Sequence, residues 1–220
     1  QHAAPPQPAA AAPAAPPDAG ESTVSSPASL PLAILGLASL GELPEVVKWL
    51  RKEGLVDALC STPTENGLAS TVGLLHAATH GSQLEMVREL LKRGASVDLP
   101  TSHGLTALMD AASSGHLSIV LLLLQHSANP DLQSNIGNTA LILAALKGHE
   151  ACVQALLRAK ANAELVDEDG HTALQWAEVK GHAATAGLIR QHVQAAQAAQ
   201  AVRADAAMEE LLAEEEAEQA

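Results

Sequence analysis

The sequence predicts an all-α solenoid of helix-turn-helix units joined by short hairpin fingers. Two observations carry the prediction. Glycines recur at a fixed spacing: Gly81, Gly115, Gly148 and Gly181 lie 34, 33 and 33 residues apart, and Gly104, Gly137 and Gly170 lie 33 and 33 apart. The apolar content is Ala, Leu and Val, since hydrophobic residues make up 47% of the 220 but aromatics only 1%. Small aliphatic side chains suit closely packed helices and argue against an aromatic-rich sandwich or barrel.

Each unit reads as two short helices and a turn. The segments GLTALMDAASSGHLSIVLLLLQHSANPD from Gly104, GNTALILAALKGHEACVQALLRAKANAE from Gly137 and GHTALQWAEVKGHAATAGLIRQH from Gly170 superimpose. An earlier copy, TVGLLHAATHGSQLEMVRELLKRGASVD, starts at Thr71. The first helix carries an i, i+3, i+4 stripe of Leu108, Ala111 and Ala112, of Leu141, Ala144 and Ala145, or of Leu74, Ala77 and Ala78. The second helix buries Val120, Leu123 and Leu124, or Val153, Leu156 and Leu157. Gly115, Gly148 and Gly181 supply the left-handed residue of the reversal, and Thr106, Thr139 and Thr172 cap the first helix. One such unit cannot close its own core, so several must stack.

The pattern divides the chain. Residues 1–29, with seven Pro and no Lys or Arg, read as a disordered Pro/Ala-rich linker. Residues 30–60 form a degenerate N-terminal cap and 61–70 a loop insertion, with Cys60 in the loop. Repeats occupy 71–100, 101–133 and 134–166, a C-terminal cap 167–194, and an acidic helical or disordered tail 195–220. Glu178 and Arg190 stand where a further unit would pack, and are expected to face solvent or cover the base of the tail.

At this point the chain resembles the ankyrin-repeat family. Its signature T-P-L-H-x-A-A-x-x-G-H appears as TALMDAASSGH (106–116), TALILAALKGH (139–149) and TALQWAEVKGH (172–182). Ala107, Ala140 and Ala173 replace the usual Pro, and Met109, Ile142 and Gln175 the usual His, so the family's hydroxyl–imidazole bond is absent. Ser127 and Lys160 stand where the family places a second-helix Gly. Left-handed geometry there costs about 1 kcal/mol each.

Composition narrows the partners. The chain carries 12 basic and 25 acidic residues, a formal charge of −13. Such a chain repels nucleic-acid backbone and anionic lipid. Two cysteines make no disulfide framework, and no apolar run approaches the roughly 18 residues of a membrane span. No signal peptide is read, so cytoplasm or nucleus is expected. The chain begins at Gln1, as a processed form or a fragment would.

Enzyme signatures for nucleophile elbows, phosphate loops, dinucleotide binding and paired cysteines are missing. His116, His149 and His182 recur once per unit and read as structural. His76 and His80 share the i, i+4 spacing of zinc sites but lack a third ligand. His103 and His171 read as contact residues at turn tips. Asp167, Glu168 and Asp169 read as a solvated hairpin, Cys152 as core. Neither a metal nor a cofactor is expected.

The resemblance implies a non-enzymatic protein-binding module, monomeric, whose fingers and first helices line a concave surface. The family's contact positions fall on Ser102, His103, Leu105, Ser113 and Ser114; on Asn135, Ile136, Asn138, Leu146 and Lys147; and on Glu168, Asp169, His171, Val179 and Lys180. Leu105, Ile136 and Leu146 are apolar at positions expected to be exposed, which suits an interface. The alternative is a structural spacer within a longer multi-array protein. It is suggested by the Pro/Ala segment and by Gln-His recurring at 1–2 and 191–192.

Overall fold

The computed structural model describes residues 30–63 and 69–218; the expected linker at 1–29 lies outside the described residues. Helices α1 (Leu32–Leu40) and α2 (Leu43–Glu53) open the chain, followed by strands β1 (Leu59–Pro63) and β2 (Ala69–Gly73). Four further helix pairs follow: α3 (Leu74–His80) with α4 (Leu84–Lys92), α5 (Ala107–Ser114) with α6 (Leu117–Gln125), α7 (Ala140–Lys147) with α8 (Glu150–Arg158), and α9 (Ala173–Val179) with α10 (Ala183–Glu218). First helices stack on first helices in the order α1, α3, α5, α7, α9, and each packs on its own second helix. One continuous core results, in which Leu108, Ala111, Ala112, Leu141, Ala144 and Ala145 are at most 1% exposed. Alanine pairs at the contact leave only methyl groups between neighbouring backbones, which sets the close spacing.

The capping chemistry follows the sequence. Thr106, Thr139 and Thr172 hydroxyls accept the N–H of Met109, Ile142 and Gln175. Gln175 returns the bond, its Oε1 accepting Thr172 N–H at 2.8 Å. Met109 and Ile142 are buried at 1% exposure, so apolar packing occupies the place of the imidazole.

The earliest repeat sits one residue out of the expected register. Its left-handed turn residue is Ser82 (φ 57°), while Gly81 has φ −74°. Ser82 to Gly115 is 33 residues, so the odd spacing of 34 disappears. Ala78 and Thr79 take the places of Ala111 and Ala112, in place of the expected Ala77 and Ala78. Thr79 fits an alanine slot because its hydroxyl donates to Leu75 O at 2.8 Å, one turn back, leaving no unsatisfied group. Gly81 is needed small for another reason: a Cβ there would lie 1.8 Å from Ser39 O of the preceding unit.

The expected loop between Cys60 and Ser70 is instead built on an antiparallel pair, with Leu59 opposite Gly73, Cys60 opposite Val72 and Ser61 opposite Thr71. Cys60 is therefore a buried strand residue (4% exposed) and not a surface thiol. The missed signal was Thr62, Thr71 and Val72, β-branched residues that favour strands. At the other end α10 runs unbroken through the expected boundary at 194/195, so the last unit's second helix and the tail are one helix. Glu178 and Arg190 are half exposed and ion-paired with each other. They close the last unit on the side where no further one packs.

Left-handed residues end the second helices at Gly94 (φ 84°), Ser127 (φ 65°) and Lys160 (φ 65°), again 33 apart. Ser127 and Lys160 are exposed, so replacing either touches no packing. Ser127→Gly and Lys160→Gly should each stabilise the fold. Relief of about 1 kcal/mol of left-handed strain offsets the added freedom of the unfolded glycine, for a net gain of up to about 0.5 kcal/mol. Urea midpoints by circular dichroism check this; an unchanged or lower midpoint contradicts it.

Candidate functional site

Three fingers project between successive helix pairs, all closed by one device. A side-chain oxygen at Thr101, Ser134 and Asp167 accepts the backbone N–H four residues on, at Leu105 (3.2 Å), Asn138 (3.2 Å) and His171 (2.9 Å). The main chain pairs across the same residues in the reverse direction, Thr101 N–H to Leu105 O, Ser134 to Asn138 and Asp167 to His171. Gly104, Gly137 and Gly170 follow the tips with φ of 73°, 76° and 78°. Adjacent fingers are bonded edge to edge: Asn135 N–H donates to His103 O and Glu168 N–H to Ile136 O. Asn135 Nδ2 donates to Ser102 O at 3.0 Å. Strand β2 extends the row, since Thr71 N–H donates to Ser102 Oγ.

The expected contact residues fall in two rows. Ser102, His103, Asn135, Ile136, Glu168 and Asp169 are exposed finger-tip residues. Leu105, Asn138 and His171 stand at the finger bases, half buried. Ser113, Ser114, Leu146, Lys147, Val179 and Lys180 form the second row, at the C-terminal ends of α5 and α7 and at the end of α9. An eight-residue helix separates the rows by about 12 Å.

Several expectations change. Leu105 packs against the core and Leu146 is half buried, so among the expected contact residues Ile136 (49% exposed) and Val179 (67%) are the apolar groups facing water. Ser113 and Leu146 have backbone roles: their carbonyls accept Nε2 of His149 (3.0 Å) and His182 (3.2 Å) from the following unit. Those two histidines are structural, as expected. His171 lies at a finger base, not a tip.

Asp167 is the largest correction, because it is buried and not solvated. Besides His171 and Asp169 N–H it accepts the Trp176 indole N–H at 2.6 Å. Burial alone pushes its carboxyl up. The N–H groups of His171, Trp176 and Asp169, with the charge of His171, outweigh burial and hold it below the usual carboxylate value. Trp176 was not anticipated as part of the site. His171 tilts against its ring at 5.1 Å, and Lys180 Nζ lies 5.5 Å from its centroid. Asp167, Asp169 and His171 bring ligand atoms within 4.8 Å of one another, but Asp167 already has three donors, so the cluster is a finger clamp. His76 and His80 do not converge: His76 is buried with Nε2 on Leu105 O, and His80 faces Asp110 from the surface. Burial raises the Cys152 thiol, in keeping with its place in the core.

A family model described as ankyrin repeats, in three copies, matches residues 35–134 and 125–201. The chain belongs to the ankyrin-repeat family. No curated protein matches it. Ankyrin repeats are generally protein–protein interaction modules and typically not enzymes. No helix among the described residues is long and apolar enough to cross a membrane.

A second set of ties between ankyrin units was not visible in the sequence. Asp57 accepts Ser96 N–H (2.8 Å), Asp98 accepts Asn129 N–H (3.1 Å) and Asp131 accepts Asn162 N–H (2.7 Å). Each aspartate satisfies an amide of the next unit, at the turn opposite the fingers.

Asn135 has two ties to its neighbouring finger, so its substitution is structural as well as superficial. Asn135→Ala, which deletes the bond to Ser102 O, should cost about 1 kcal/mol. Lys147→Ala, exposed and without a described partner, should stay within about 0.5 kcal/mol. Thermal melts of both variants check the contrast.

Proposed function

We propose that this chain is a non-enzymatic adaptor that binds a partner protein or peptide along its fingers and first helices, in the cytoplasm or nucleus, without a cofactor. The observation that carries the reading is the division of labour within each finger. Backbone, Thr101, Ser134 and Asp167 hold the shape, leaving His103, Ile136, Glu168 and Asp169 pointing to water on a pre-ordered edge. Fixing such groups before binding lowers the ordering cost of an interface. Ile136 and Val179 add exposed apolar area beside Asn138, Lys147 and Lys180, the mixture expected of an interface.

The test is affinity capture from native lysate with full-length chain, compared with Ile136→Asp, Lys147→Glu and Lys180→Glu combined. These positions spare Asn135 and its finger bonds. A protein held by the first and lost by the second supports the adaptor reading. Capture identical for both rejects this surface and favours the spacer.

A further inference from the structure

A groove of about 490 Å³ lies at the N-terminal end of the stack, between α1, β2, α3 and α5. Its walls are mainly apolar, including Leu32, Leu35, Val72 and Leu105. Leu32 is 59% exposed, so the groove is open to water. Polar side chains also line it, Thr101, His80 and His103 among them, and two of the polar groups, His76 and Asp110, have unmet needs. His76 is 5% exposed, and its Nε2 lies 2.8 Å from Leu105 O. A carbonyl only accepts, so Nε2 carries the proton and Nδ1 is left as an acceptor. Nδ1 is buried and has no hydrogen-bond partner among the described residues. Asp110, whose charge acts on His76, also lines the groove. Its nearest described ionic partner is His80 Nδ1 at 3.7 Å, too long for a hydrogen bond. Among the described residues neither Lys nor Arg lines the groove.

Both unmet needs have one chemistry. A buried acceptor calls for an N–H donor, and a half-buried carboxylate without a close cation calls for positive charge. Arg and Lys bring both on an apolar stem that suits the aliphatic walls.

We propose that this groove binds a peptide segment of a partner protein in which one Arg or Lys is flanked by apolar residues, the cation meeting Asp110 and His76 while the neighbours pack on Leu32, Leu35 and Leu105. This rests on the adaptor reading and deepens it: the groove is the N-terminal end of the same surface, sharing His103 and Leu105 with it, and the chemistry of its ligand is named. Net charge of −13 favours the same sign of partner.

The test uses the labelled full-length chain on a bead library of random heptapeptides, with enriched beads sequenced. The expected consensus has one basic residue between apolar ones. Binding of the synthesised consensus, followed by fluorescence anisotropy, should fall about ten-fold in Asp110→Asn, as expected for losing one charge-assisted bond. It should fall in Leu32→Gln and on replacing the peptide's Arg by citrulline, but stay unchanged in Lys92→Glu, exposed on α4 and outside the groove lining. A consensus without a basic residue, or binding indifferent to Asp110→Asn, overturns the proposal. Binding lost only in Lys147→Glu overturns it while leaving the adaptor reading intact. No enrichment at all overturns the proposal and leaves the adaptor reading to the capture experiment.

Discussion

Gly137→Ala is expected to destabilise the protein by about 3 kcal/mol or more, and Gly170→Ala by only about 1 kcal/mol. The two glycines have nearly the same backbone, with φ of 76° and 78°, so the left-handed strain on an added Cβ is the same, about 1 kcal/mol. Their surroundings differ. A Cβ at Gly137 would lie 2.8 Å from Asp167 Cα and 2.9 Å from Glu168 N, whereas at Gly170 no atom of the described residues lies within 4 Å. Contacts that short are with backbone, which cannot rotate away, so the next finger must shift and the Glu168 N–H to Ile136 O bond is strained with it. Overpacking of this kind costs about 1–3 kcal/mol beyond the dihedral strain. The comparison therefore isolates the coupling between fingers from the conformational preference of glycine. Urea denaturation of both variants measures it, and equal losses at the two positions show that the fingers are not rigidly coupled. Partner binding should weaken in Gly137→Ala as well, because Ile136 and Asp169 lose their common alignment.

That coupling also explains what the sequence can and cannot show. The 33-residue period, the Leu-Ala-Ala stripes and the Thr caps are local, so the helix pairs and their stacking are legible from spacing alone. The register of the first copy is not. Thr79 in an alanine slot and Ser82 in a glycine slot hide it, and only the bond from Thr79 to Leu75 O shows why the hydroxyl is tolerated. The strands at 59–63 and 69–73 are hidden by the same helical frame, which makes the 61–70 insertion look like slack. Candidate contact positions at the finger tips were legible because tips face water by construction. Leu105, Leu146 and Asp167 were misjudged because their exposure depends on the neighbouring unit or on a side chain nine residues away. Pairings such as Asp131 with Asn162 N–H, or Asn135 with Ser102 O, join residues 31 to 33 apart and leave no mark on composition.

Asp167→Ala should cost about 3 kcal/mol, and Asp167→Asn somewhat less. In the alanine variant the N–H groups of His171 and Asp169 and the Trp176 indole lose a charged acceptor together, at about 1.5–3 kcal/mol for a charge-assisted bond in such surroundings. Asparagine keeps Oδ1 for the two backbone donors but turns its amide towards the indole N–H, setting donor against donor. The charge itself is visible through pH. The folded-state pKa lies below the unfolded value near 3.8, so the folded protein binds its proton later than the unfolded chain. Its contribution is complete above that unfolded value and is lost as pH falls through the folded one. The stability difference between wild type and Asp167→Asn should accordingly shrink on acidification below about pH 4, measured by urea unfolding at successive pH values. The subtraction cancels the titration of the other carboxylates. A difference independent of pH down to that range and below means that Asp167 acts by shape alone. One that shrinks identifies the carboxylate charge as what fixes the last finger, and with it Glu168, Asp169 and His171.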